Sequence, residues 1–436
     1  MNETENVTAI SGPTSGCSRA CRSVAVLLWV LVISAVAAGT GPASISAAPM
    51  QLPDAGLSSI HTLDIYNDHG RIHALLSGVA TDGGEIVLRH LASADGGRSW
   101  SVPVTVNCGI APAKPSRRGN DFQLAASGQQ IVVAWQTLDK QKWITPMVIA
   151  LSRDGGKSWQ AGPNPAGGKP LINQGYIDIA ADREGEFHIV WLDDREEHGN
   201  FQGLRYAKGH SQAGGLVWEA QKTLDESTCT CCWTAITMSS DRNLHVLYRD
   251  HEPRDMALAG SSDAGASWKT LGSVGGFNWQ FAGCPHRGGG IAAMEQNRRV
   301  HLHTVVWNGN VADSGLYYLR SMDGGRHWEV PWKIHDALSG PGDVALLDAK
   351  RVGIVYTVEE QDRRQVMLLR SNDGGKSWSK AQPLSAPGAK ASHPRLIANP
   401  GGYRAFWSEQ RDNGVSEWMT ALFATEAATM PAAPSI

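Results

Sequence analysis

The 436-residue sequence predicts an all-β fold, a β-propeller of four-stranded blades, on three observations. An eight-residue element recurs in register: SADGGRSW ending at Trp100, SRDGGKSW at Trp159, SSDAGASW at Trp268, SMDGGRHW at Trp328 and SNDGGKSW at Trp378. A degenerate copy without the aspartate, SQAGGLVW, ends at Trp218, so successive tryptophans lie 59, 59, 50, 60 and 50 residues apart. That period exceeds one hairpin and suits one four-stranded sheet with its turns. Between copies, alternating apolar segments are separated by turn residues, and 48 glycines without a collagen-like period supply the turns.

Each unit reads the same way. In the third, YIDIAAD (Tyr176–Asp182) is a first strand, Arg183-Glu184-Gly185 a turn, FHIVWLDD (Phe187–Asp194) a second strand and FQGLRYAK (Phe201–Lys208) a third, with the Trp218 segment beginning a fourth. Such sets begin near Ser58, Asp121, Tyr176, Trp233, Gly288, Asp343 and His393, and the last ends near Phe423. A radial array hides its sheet edges by closing into a ring. Residues Met50–Pro53 are the candidate strand to complete the last, short blade. Seven blades are expected; six, with one irregular set, is the alternative.

The N-terminus reads differently. Arg19 and Arg22 precede the apolar run Val24–Ala38, and Ser46-Ala47-Ala48 offers a small-residue cleavage site. Residues 1–48 thus read as a secretory signal peptide, an uncleaved anchor being the alternative. An exported protein, periplasmic or extracellular, is expected, with the propeller over 49–425, an unstructured tail over 426–436 and no other membrane span. A net charge of −3 without a long basic run argues against a nucleic-acid partner. Loss of Cys17 and Cys21 with the leader leaves Cys108, Cys229, Cys231, Cys232 and Cys284, an odd number, so at least one is free, shared or metal-bound.

The S-x-D-x-G-x-x-W element resembles the Asp-box, or bacterial neuraminidase repeat, and the resemblance covers essentially the whole mature chain. It implies a structural role for Asp95, Asp154, Asp263, Asp323 and Asp373: the carboxylate accepts backbone N–H groups of the turn, the glycine takes positive φ, and the tryptophan fills apolar space.

Antiparallel strands sort the loops onto two faces. First-to-second turns share one face with the Asp-boxes and are plain turns. Second-to-third loops and blade connections share the other, which is rich in charge and carries all five mature cysteines. Resemblance to the sialidases implies three arginines clamping a substrate carboxylate, a tyrosine nucleophile assisted by a glutamate, and an aspartate acid/base. Candidates on the charged face are Arg118, Arg249, Arg287 and Arg395 around an axial funnel, Asp121, Asp250 or Asp255 as acids, and Tyr248 with Glu252. The Arg-Ile-Pro signature of that family is absent from the first blade, which reads SSIHTLDIYN. A glycan or small-molecule substrate, with hydrolysis of an acidic glycan, is one reading; a non-catalytic glycan- or protein-binding module is another.

The stretch CTCCW (Cys229–Trp233) supports a third. In an extended segment Cys229 and Cys231 point one way and Cys232 the other. With Cys284 and His286 these offer up to five ligands for copper or zinc. A disulfide from Cys284 to one of the three, or a set of reactive thiols, fits the same residues. The order C-x-C-C, L-Y-R-D, C-P-H-R resembles a subgroup of exported sialidase-like bacterial proteins, which implies that cysteines and arginines form one site.

Overall fold

Every regular element among the described residues is a strand, as the alternating apolar pattern and glycine-rich turns require. The computed structural model describes residues 48–115, 122–139, 144–167, 172–195, 201–361, 363–399 and 401–424. The leader and the tail expected at the two ends therefore lie outside the described residues.

The strands form successive antiparallel sheets in chain order. The first comprises Leu57–Asp68, Arg71–Ala80, Ile86–Ser93 and Val104–Thr105; the second Phe122–Ser127, Gln130–Gln136, Met147–Ser152 and Gln160–Gly162. The third comprises Gln174–Ala181, Glu186–Asp193, Phe201–Gln212 and Lys222–Cys229; the fourth Ala235–Met238, Leu244–Arg249, Met256–Ser261 and Lys269–Val274. The fifth comprises Gly290–Gln296, Arg299–Asn308, Gly315–Ser321 and Trp332–Asp336. Two last sets, beginning at Ser339–Leu346 and Lys390–Asn399, are joined into one eight-stranded sheet through a parallel bridge between Arg364 and Lys390. Met50–Gln51 pairs with the final strand, Ser416–Ala424, in the register Met50 to Thr420, where the sequence placed a closing strand.

The degenerate copy begins the fourth strand of the third sheet, as the sequence predicts: Gly215–Trp218 pairs with the end of Phe201–Gln212, Gln212 opposite Gly215, and Lys222–Cys229 continues along the same edge after a shift in register.

The five intact boxes share one geometry. In the first, the Ser93 hydroxyl donates to Asp95 at 2.8 Å and accepts Gly97 N–H, while Asp95 accepts the Arg98 and Ser99 N–H groups at 2.9 Å. The Ser267 hydroxyl and amide hold the Asp263 carboxyl down at about 2. Each box docks on the preceding sheet. Trp159 stands 5.4 Å from His90, Trp268 4.7 Å from Tyr206 and Trp378 4.7 Å from Tyr318, between ring centroids. Trp100, from the first sheet, lies 5.1 Å from Trp418 of the last. The second glycine makes this approach possible: a Cβ on Gly156, Gly265 or Gly375 would stand 2.1, 1.8 or 1.9 Å from His90, Tyr206 or Tyr318.

At the inner edge, aspartates tie neighbouring first strands. Asp64 accepts Leu124 N–H at 2.9 Å, Asp178 accepts Ile236 N–H at 2.7 Å and Asp343 accepts Leu396 N–H at 2.8 Å. Burial pushes all three carboxyls up, Asp178 to about 7.

Two outcomes follow. Gly265→Ala, at φ 84° and against Tyr206, lowers stability by about 1–3 kcal/mol, read by thermal melts. Asp178 keeps its proton when folded and loses it when unfolded between about pH 4 and about 7, so its stabilising contribution is complete below that window and is lost as pH rises through it. Asp178→Asn removes that component, up to about 1.4 kcal/mol per pH unit, from the stability–pH curve.

Candidate functional site

The connection between the third and fourth sheets carries CTCCW. Cys229 ends its strand opposite Phe201, Thr230 and Cys231 make a turn, and Cys232 follows. That turn breaks the extended alternation expected of the segment, so all three sulfurs converge instead of splitting two and one. Cys229 Sγ lies 3.5 Å from Cys231 Sγ and 3.3 Å from Cys232 Sγ, and the three residues are 0, 4 and 1 % exposed. Cys284 and His286, from the next sheet connection, form a second group with Cys231, ligand atoms all within 4.8 Å. The expected disulfide from Cys284 is not formed: Cys229, Cys231, Cys232 and Cys284 are all free thiols.

Two buried arginines border the trio. Arg249 Nε donates to the Arg287 carbonyl at 3.1 Å, Nη2 to the Trp307 carbonyl at 2.9 Å and Nη1 to the Arg254 carbonyl. Its guanidinium therefore ties four backbone segments together and is spent on them, which removes it from a carboxylate clamp. Arg254 donates from Nε to the Phe281 carbonyl at 3.1 Å, while its buried Nη1 has no hydrogen-bond partner among the described residues. Hydrogen bonds from the neighbouring thiols, and the Arg254 charge, pull the Cys229 thiol down; burial pushes Cys232 up, against the Arg249 charge.

Among the described residues, the remaining predicted residues do not gather as a sialidase site. Tyr248 is 1 % exposed, its hydroxyl donates to Asp225 at 2.7 Å, and burial raises it further, so it is a core residue with no path to a substrate. Glu252 is exposed in a separate cleft. Asp250 is half-buried and pushed up to about 6, first by burial and then by Asp225 and Asp255. Asp255 accepts the Asn278 and Trp279 N–H groups at 2.8 and 3.0 Å, a positioning role. Arg395 lies 3.4 Å from Asp64 in a cavity of about 180 Å³ shared with Asp178, Asp343 and Trp233. That cavity is lined by carboxylates with Arg395, and neither Arg249 nor Arg287 lines it. Arg118 and Asp121 lie outside the described residues.

What the structure builds instead is an aromatic cleft of about 610 Å³ on the same face, between the fourth and fifth sheets. Trp279 and Phe281 stack at 5.3 Å, and Trp307 meets Trp279 edge-on at 5.3 Å. The Arg287 guanidinium sits 5.2 Å over the Trp307 ring, its side chain 22 % exposed and 3.6 Å from Glu359. Asn278, Gln280 and Asn310 add amides to the rim. Phe281 and Cys284 also border a second cleft of about 590 Å³ holding Thr230, His251, Glu252 and Arg254. The sequence reading overlooked the aromatics; the signal was Phe277, Trp279 and Phe281 at alternate positions just before Cys284.

Residues 284–412 match the family model of the BNR repeat-like domain. No curated protein matches the sequence. Among solved structures, a polysaccharide lyase, the PL25 ulvan lyase bound to -[GlcA(1-4)Rha3S]-, is 11 % identical, covers 85 % of this chain and 95 % of its own, and has a TM-score of 0.55. The Hadza microbial sialidase Hz136 is 14 % identical with a TM-score of 0.46, over 70 % of this chain; the chain spans 64 % of that protein's length. The NanB sialidase from Streptococcus pneumoniae is 13 % identical with a TM-score of 0.44, over 86 % of this chain and 70 % of its own. The ulvan lyase match shows a shared all-β fold.

The cleft wall depends on close packing at Gly309, where a Cβ would stand 2.2 Å from the Trp279 ring. Gly309→Ala displaces that ring, and Asp255→Ala releases the segment that carries it. Both variants lose near-ultraviolet dichroism from the stacked tryptophans and about 1–3 kcal/mol of stability, while a distant exposed control such as Val330→Ala does neither.

Proposed function

We propose, for a chain that belongs to the sialidase-like BNR/Asp-box repeat family, an exported seven-bladed β-propeller that binds acidic glycans in the aromatic cleft. The successive sheets are its blades, and Met50–Gln51 completes the last one. Ring closure is supported by Trp100 of the first sheet docking on Trp418 of the last, and by Arg395 meeting Asp64 across the same seam. Export is supported by the leader-like segment Val24–Ala38.

The observation that carries the binding reading is the Arg287 guanidinium held over Trp307 at the mouth of a cleft walled by Trp279 and Phe281. Apolar faces of sugar rings pack on exposed aromatic surface, here exposed Phe281 and half-buried Trp307 with buried Trp279 behind the wall, and a planar guanidinium takes a carboxylate or sulfate bidentately. Glu359 at 3.6 Å is a weak competitor that an anionic sugar displaces. The cleft volume falls within the range of ligand sites. An acidic ligand is also named for the ulvan lyase, whose bound oligosaccharide contains a uronic acid and a sulfated sugar.

Hydrolysis by the sialidase scheme is not part of this reading. Tyr248 is committed to Asp225 and Arg249 to backbone carbonyls, so neither nucleophile nor clamp is assembled from them.

Calorimetric titration with uronate-, sialate- and sulfate-bearing oligosaccharides tests it. The protein binds one or more of them, and Arg287→Ala weakens binding about 10- to 100-fold while neutral oligosaccharides stay weak. Acidic glycan binding that is unaffected by both Arg287→Ala and Trp307→Ala contradicts the assignment of the cleft.

A further inference from the structure

The cysteine cluster plays no part in glycan recognition, and its chemistry points elsewhere. Three thiols are buried together with no carboxylate in their group, and two guanidiniums stand beside them. Buried thiols that neither form disulfides nor serve only as apolar filler have one strong use, as soft metal ligands. A metal–sulfur bond of about 2.3 Å places the sulfurs of a shared ion about 3.8–4.0 Å apart. The observed 3.3 and 3.5 Å separations therefore need movements of only a few tenths of an ångström.

Arg254 is the independent observation. Only 6 % of its surface is exposed, and its Nη1 has no hydrogen-bond partner among the described residues. A buried cationic N–H without an acceptor is costly unless a neighbouring anion compensates it. Asp250 lies within electrostatic reach of Arg254, and thiolates add further negative charge beside both guanidiniums. Three sulfur ligands with no fourth donor in their group suit a soft copper(I) ion better than zinc(II), whose structural sites are four-coordinate.

We propose that Cys229, Cys231 and Cys232 form a copper(I) site, loaded from the surface through Cys284 and His286. Cys231 belongs to both groups, and Cys284 is exposed where the trio is buried. An ion captured by Cys284 and His286 is passed to Cys231 by ligand exchange and comes to rest among the three sulfurs. Each thiol that becomes a ligand releases one proton to solvent, and the copper stays in its +1 state, so no electron acceptor is required. Arg254 and Arg249 are positioning residues that hold the thiolate form by charge. No member of the trio lines the aromatic cleft, although the entry residue Cys284 borders it, so copper retention by the trio is read separately from glycan binding.

The experiment uses the purified full chain, reduced and anaerobic, titrated with copper(I) against a chromophoric copper(I) chelator, and separately with zinc(II). The expected result is one equivalent of copper(I) retained, with sulfur-to-copper charge-transfer absorption, and zinc displaced by it. Cys231→Ser loses that equivalent. Cys284→Ser, at an exposed position that folding does not need, keeps the equivalent but loads several-fold more slowly. Arg254→Met weakens retention relative to wild type without removing a ligand. Should the buried-cysteine variants fail to fold, the wild-type titration and the Cys284→Ser loading rate still decide. Surrender of all copper by the folded wild-type chain, or retention of zinc in preference to copper, overturns the proposal. Loading by Cys284→Ser at the wild-type rate overturns the entry route.

Discussion

The contact on which the rest of the molecule depends is the docking of each Asp-box against the sheet before it. A carboxylate closes the turn on backbone amides, the second glycine presents a bare backbone, and a tryptophan covers the neighbour's His or Tyr ring. The glycine has two duties, positive φ and absence of a side chain, and no other residue meets both. Repeated at near-regular intervals, this contact sets how sheets follow one another. Along the inner edge, Asp64, Asp178 and Asp343 repeat the same logic with carboxylates accepting amides across the seams.

With the boxes occupied in packing on one face, the opposite face is left to carry chemistry. There Arg249 joins the Arg254 loop of the fourth sheet, the connection into the fifth sheet and the end of that sheet's second strand by donating to three carbonyls, those of Arg254, Arg287 and Trp307. Its burial is costly in isolation and tolerable because each donor is satisfied. Arg249 thereby positions Arg287, Trp307 and the turn at Arg254, and so the aromatic cleft and the cysteine cluster share one scaffold. Asp255 performs the matching task from the acceptor side by fixing Asn278 and Trp279.

Much of this was legible in the sequence, and the reasons are physical. Repeated boxes and alternating segments predict sheets in order, because turn chemistry and side-chain period are local properties. The closing pair at Met50 was legible from a last set that lacked a partner strand. Convergence of Cys231, Cys284 and His286 followed from topology alone, since consecutive sheet connections lie on one face. What sequence could not resolve was the direction of individual side chains. Arg249 and Arg287 look alike in a string, yet one is consumed by backbone carbonyls and the other stands over Trp307. Tyr248 beside an arginine and an aspartate resembles a reactive tyrosine until its burial against Asp225 is seen. Asp64, Asp178 and Asp343 read as ordinary strand residues because their partners lie 53–60 residues away. The three sulfurs converge through a turn that no residue type in CTCCW demands.

The most direct test of where this face meets its ligand is a crystal structure of the chain soaked with an acidic oligosaccharide that binds in solution. The sugar's carboxylate or sulfate is expected on Arg287, with a ring face against Phe281 or Trp307. Density instead in the cavity at Arg395, with the aromatic cleft empty, would contradict the account and place the site there.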